Sequence, residues 1–238
     1  MNLYAISDLH LACGIDKPMD IFGDRWTNYM DRLKEEWQGT VLEDDYVIIP
    51  GDISWATYLE QAVSDFKFID SMPGKKIISK GNHDYWWTTM SKLLKYLQEH
   101  QFSTISFMHN NSIRVNGTVI CGTRGWKCPG DDNFSPEDRK IFERELQRLE
   151  LSLKTTLTYT GNENIITAMH YPPFNQKGEP SDFVEIMGKY GVNKCVYGHL
   201  HGHGFKNAVT GLINGIDFQL VSSDYLEFKP LKLEMQKF

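Results

Sequence analysis

Nine side chains able to bind a metal ion or move a proton stand just beyond apolar, strand-like runs: Asp8, His10, Asp52, Asn82, His83, Asp84, His170, His199 and His201. Five runs precede them, at residues 3–7, 46–49, 75–79, 164–169 and 194–197. Carboxylate, imidazole and amide oxygen are good ligands for hard-to-borderline divalent cations. In open α/β sheets, ligands bind beyond the carboxyl ends of the strands. Strands gathered in one core would therefore bring these groups together. They are too many for one four-coordinate ion, whereas two ions sharing a carboxylate account for the number. Such a pair activates water and stabilises in-line displacement at phosphorus.

Each residue alone also has an ordinary explanation. Asp8 could be a turn residue, Asp52 and Asp84 could cap the helices that follow them, and Asn82 tolerates a left-handed turn. His170 precedes Tyr171-Pro172-Pro173 and could brace that loop. The signal lies in the combination: Gly81-Asn82-His83-Asp84, followed far along the chain by Gly198-His199-Leu200-His201.

The elements that must position these groups alternate. Residues 3–7, 46–49 and 75–79 read as strands, with helices expected from Asp24 to Trp37, from Ser54 to about Ser71, and within 85–100. Residues 112–121 read as a hairpin around Asn116-Gly117. Ser135-Pro136-Glu137-Asp138 has the form of a helix start, and that helix is expected to reach about Thr155. Strands at 164–169 and 194–197 flank a short helix at 181–190. The C-terminal third reads as a meander, with strands at 205–209, 212–213, 217–221 and 231–235. This pattern predicts one domain over residues 1–238, with two sheets inside and helices outside.

The 238 residues suffice for a sizeable core. The formal charge of −6 disfavours a broad nucleic-acid surface, although cations at a small site could still admit nucleic acid. Cys13, Cys121, Cys128 and Cys195 form no Cys-x-x-Cys pair and read as free thiols, which fits a reducing compartment. No membrane span or signal peptide is recognisable, so the expected location is cytoplasmic and no membrane partner is expected.

The ordered set Asp8-x-His10, Gly51-Asp52, Gly81-Asn82-His83-Asp84, His170 and Gly198-His199-Leu200-His201 resembles the calcineurin-like metallophosphoesterase family. That resemblance implies a four-layer α/β/β/α sandwich of two mixed sheets around a dinuclear centre. It implies that Asp8, His10 and His201 hold one metal, that Asn82, His170 and His199 hold the other, and that Asp52 bridges them. Mn, Fe or Zn are the expected metals. His83 would sit beside the substrate phosphate, stabilising the transition state or protonating the leaving oxygen, with Asp84 hydrogen-bonded to its ring. The residue types suit these roles: Asp52 has two oxygens to share, and neutral Asn82 keeps the metals electrophilic. The protein Ser/Thr phosphatase branch carries Asp and Arg soon after Gly-Asp, and Glu after Gly-Asn-His. Here Ile53-Ser54-Trp55-Ala56 and Asp84 stand there, which weakens that reading.

The expected activity is hydrolysis of a small phosphate mono- or diester by a hydroxide activated at two metals. A metal-dependent nuclease and an inactive binding module on the same fold are the alternatives. Arg124 and Trp126 are candidate substrate-binding residues, since a guanidinium fork suits phosphate and an indole suits a base or apolar group. His203 extends the last motif but falls outside the ligand sets. The sequence does not name the substrate or the oligomeric state.

Overall fold

A computed structural model describes residues 1–17, 19–159 and 163–234. Strands β1 (Leu3–Ala5), β2 (Tyr46–Pro50), β3 (Lys75–Ser79) and β4 (Ile105–Phe107) form a parallel run, closed at its edge by antiparallel β11 (Leu231–Lys232). Strands β5 (Ile113–Val115), β6 (Thr118–Thr123), β7 (Asn164–Met169), β8 (Lys194–Tyr197), β9 (Gly211–Ile213) and β10 (Ile216–Leu220) form the second sheet, in the order β5-β6-β7-β8-β10-β9. Both sheets are mixed. Ala5, Ile48 and Ile77 of the first meet Ile120, Ile166 and Val196 of the second in a buried layer.

The outer face of the first sheet packs on α1 (Tyr29–Thr40), α2 (Val63–Ser71) and α3 (Met90–Glu99), through Trp37, Phe66 and Leu93. The second is covered by α4 (Pro136–Thr156) and α5 (Asp182–Lys189), through Phe142, Leu149 and Phe183. The chain is therefore an α/β/β/α sandwich. The parallel strands β1, β2, β3, β7 and β8 all end at the site residues.

Several elements differ from expectation. The first helix begins at Tyr29, because Asn28 is left-handed (φ 51°) and Asp24–Trp26 forms a separate 3-10 turn. Ser54 does not cap α2; its hydroxyl bonds Asp65, and a 3-10 turn at Leu59–Ala62 precedes α2. Helix α3 starts only at Met90, since Trp86 and Trp87 are drawn aside to pack on Phe107. Residues Gly202–Asn207 form a 3-10 turn, which takes up the start of the strand expected at 205–209. The end is no meander: β10 runs parallel to β8, and β11 crosses to the other sheet. Of the strand expected at 231–235, residue 235 lies outside the described residues. The Ser135 cap holds, with its hydroxyl accepting from Asp138 N at 3.1 Å. No helix among the described residues is long and apolar enough to cross a membrane.

Candidate active site

The strand ends turn abruptly. Asp8, His10, Asp52 and His199 all adopt left-handed backbone, with φ of 58°, 46°, 52° and 71°. For such residues this conformation is costly, and it persists only where surrounding contacts hold it. Those contacts are present. Asp8 N donates to Gly51 O at 3.0 Å, His10 N to Asp52 O at 3.0 Å, and Ser223 Oγ to Asp8 O at 2.7 Å. Gly81 leaves space that a Cβ would take from the Asp52 carboxylate.

Two groups of donor atoms result. In the first, His201 Nε2 lies 3.2 Å from Asp8 Oδ1 and 3.3 Å from His10 Nε2. In the second, His170 Nε2 lies 2.6 Å from Asn82 Oδ1 and 3.3 Å from His199 Nδ1. Asp52 stands between them, its Oδ2 3.4 Å from His170 Nε2 and 3.9 Å from His10 Nε2. Its Oδ1 accepts from His83 N at 2.8 Å, so a single oxygen faces both groups rather than one oxygen facing each. Asp8 is also 3.9 Å from His170.

These groups fit divalent cations. His170 Nδ1 lies 3.1 Å from Pro50 O while its Nε2 faces Asn82 Oδ1, so the ring meets two acceptors. Burial, partly offset by Asp8, lowers its pKa to about 4, and a neutral imidazole has only one N–H. Nδ1–H toward Pro50 leaves the Nε2 lone pair and the amide oxygen converging on a shared electrophile. His201 repeats the arrangement, with Nδ1 2.7 Å from Asp224 Oδ1 and Nε2 toward Asp8 and His10. An imidazole whose other nitrogen is held by a carbonyl or carboxylate is the usual form of a metal-ligating histidine.

The electrostatics agree. Burial pushes His199 down to about 3 and His10 well below its ordinary value. Burial also pulls His201 down, but Asp8 and Asp224 more than offset this and raise it to about 10. Burial and the nearby carboxylates of Asp8 and Asp84 push Asp52 well up. Without cations, the carboxylates of Asp8 and Asp224 favour a proton on His201.

Asp84 corrects an expectation. Its carboxylate does not reach the His83 ring. Oδ2 accepts from Gly81 N (2.7 Å) and Asp52 N (2.9 Å), and Oδ1 from Ile53 N (2.9 Å), Ser54 N (3.4 Å) and the Trp86 indole (3.1 Å). Asp84 ties the loop after β2 to the loop after β3, and thereby orients Asp52. The His83 Nδ1 is buried without a partner among the described residues. Its ring lies 4.5 Å from Trp55, and burial together with Lys17 lowers its pKa.

Beside His10, His83 and His201 opens a cavity of about 810 Å³, walled by Lys17, Phe22, Trp26, Trp55 and Tyr85. Trp55 stacks on His10 at 4.7 Å. His203 is exposed and lines the same cavity. Arg124 and Trp126 do not line it. Trp126 shares a groove of about 180 Å³ with His199 and Tyr171, while Arg124 pairs with buried Glu145 at 3.4 Å in a separate cavity.

Asp224 was not read from the sequence. It follows β10 by four residues, so the rule that found the other strand ends would have reached it had Val221-Ser222-Ser223 not intervened. Asp224→Asn is expected to weaken metal affinity by about 10–100-fold, since it loses the carboxylate that orients His201. Metal titration of apoprotein checks this, and unchanged affinity would remove Asp224 from the account.

No curated protein matches the chain. Among solved structures, a phosphopantetheinyl hydrolase from Mycobacterium tuberculosis is similar, with TM-score 0.57 and 14% identity over 98% of this chain and 95% of that one. A protein of unknown function from Aquifex aeolicus aligns with TM-score 0.51 and 16% identity, over 97% of this chain and 95% of that one. At these identities the likeness shows a shared fold. The family model for calcineurin-like phosphoesterases matches residues 1–203, and the chain belongs to that family.

Proposed function

We propose that the chain hydrolyses phosphate esters using two divalent cations. Asp8, His10 and His201 would hold one, Asn82, His170 and His199 the other, and Asp52 would face both. The single observation that carries this reading is Asp52 Oδ2, within 3.4 Å of His170 Nε2 and 3.9 Å of His10 Nε2 while Oδ1 is already engaged. Cations bound there supply Lewis acidity at phosphoryl oxygen and acidify water for attack on phosphorus.

The chain's own groups do the rest. His83 lines the large cavity, and with Nδ1 buried, Nε2 is the nitrogen left to meet the ester. It stabilises charge on the phosphoryl group or, in its protonated form, hands a proton to the departing oxygen, a contribution of about 10²–10⁴-fold. The alcohol would then leave into the cavity, where Phe22, Trp55 and Tyr85 receive an apolar or flat group and Lys17 attracts the phosphate. The volume of about 810 Å³ suits a small-molecule ester. The structural likeness to a phosphopantetheinyl hydrolase agrees with ester hydrolysis. The free thiols agree with a cytoplasmic location.

Chelation should abolish hydrolysis of p-nitrophenyl phosphate and bis-p-nitrophenyl phosphate, and Mn²⁺, Fe²⁺ or Zn²⁺ should restore it. The ratio of the two rates reads mono- against diesterase preference. Protein that binds metal but turns over neither ester nor any other phosphoester in a broad panel would instead be a binding module.

A further inference from the structure

A second cavity of about 220 Å³ lies between the end of β3 and helix α4. Lys80, Arg124, Arg144 and Arg148 line it, with Glu145 the only carboxylate among its lining residues. Glu145 is already engaged: Arg148 Nη1 is 2.7 Å and Arg124 Nη2 3.4 Å from Oε1, and Thr123 Oγ1 donates to Oε2 at 2.6 Å. Lys80 and Arg144 have no carboxylate within ion-pair distance among the described residues. So much positive charge at one place is unexpected in a chain of net charge −6.

Two buried polar groups point the same way. Ser79 lines the cavity, is only 4% exposed, and its hydroxyl has no hydrogen-bond partner among the described residues. Arg124 Nε is likewise buried and unpartnered. Buried donors without partners are costly, and an anion would satisfy them and neutralise the unpaired Lys80 and Arg144 together. The cavity also adjoins the active site. Lys80 precedes Gly81-Asn82, and the Arg124 carbonyl accepts from His170 N at 3.1 Å and Tyr171 N at 2.9 Å.

We propose that the cavity among Ser79, Lys80, Arg124, Arg144 and Arg148 binds a phosphate-like oxyanion beside the Asn82–His170 side of the active site. The oxyanion is either the second phosphate of a doubly phosphorylated substrate or a free anion that modulates turnover. Its link to turnover rests on the proposed hydrolase function, whereas the binding itself does not.

Calorimetric titration of selenate into metal-loaded wild type and Lys80→Gln/Arg144→Gln protein tests the site. Wild type should take up one more selenate per chain than the variant. Anomalous diffraction from selenate-soaked wild-type crystals should show selenium among Lys80, Arg124 and Arg148. Equal stoichiometry, or selenium only elsewhere, overturns the proposal. Arg144 is exposed, so Arg144→Glu alone reverses a charge without threatening the fold, and it must lose the same selenate. Wild-type protein inactive on every ester would remove the hydrolase reading, while the selenate difference would still decide the cavity.

The source is read from kinetics. For a substrate-borne phosphate, the kcat/KM ratio of fructose 1,6-bisphosphate to fructose 6-phosphate falls by about tenfold or more in the variant. For a free anion, that ratio is unchanged, and selenate alters the kcat for p-nitrophenyl phosphate in wild type only. If an active protein shows neither response, the proposal is overturned even with selenate bound.

Discussion

Asp52→Asn is expected to lose roughly 10²–10³-fold or more in turnover, the scale of losing one preorganised electrostatic contact, while the fold persists. One oxygen must keep accepting from His83 N, so the amide nitrogen turns toward His10 and His170. That nitrogen has no lone pair to offer a cation, and the negative charge is gone. The opposite orientation sets an N–H donor against the His83 N–H. Metal-free stability should move the other way. Burial and the carboxylates of Asp8 and Asp84 push Asp52 up, so its charge is destabilising in the absence of cations. With chelator present, Asp52→Asn should therefore melt at or above the wild-type temperature, as expected where function is held at a cost in stability. Activity within tenfold of wild type would show that Asp52 is not shared between ions.

Asp84→Asn should do the reverse, costing about 2–6 kcal/mol of stability and most activity with it. If the amide nitrogen replaces Oδ2, the N–H groups of Gly81 and Asp52 lose their acceptor. If it replaces Oδ1, those of Ile53, Ser54 and Trp86 do. Each buried donor left unsatisfied costs about 1–3 kcal/mol. That is a large part of the 5–15 kcal/mol typical of a folded domain. Urea unfolding measures the loss. A variant of wild-type stability with only a shifted pH–rate profile would instead put Asp84 in contact with His83.

The opposite signs for Asp52 and Asp84 show what the sequence could and could not convey. Parallel strands deliver their carboxyl ends to one edge of the sandwich, so an Asp, Asn or His after each apolar run was enough to find the donors. Which way a side chain points within a turn is not written in its neighbours. His83 and Asp84 are adjacent in sequence, yet His83 lines the cavity while Asp84 is fully buried beneath the loops. Arg124 and Trp126 were paired by proximity, but the Trp126 ring, 4.6 Å from the Arg124 guanidinium, lies in a different groove. Helix starts failed where tertiary geometry outweighed local signals: left-handed Asn28 delays the first helix, and aromatic packing of Trp86 and Trp87 delays the third. The short strand β4 gave little periodicity to read, with only Ile105 and Phe107 buried.

On the proposed function, seven side chains hold two cations on either side of one carboxylate oxygen. Anomalous diffraction from crystals loaded with Mn²⁺ would locate them. Two manganese peaks about 3.5–4 Å apart, flanking Asp52 Oδ2, are predicted. A single peak, or none within ligating reach of Asp52, would contradict the account.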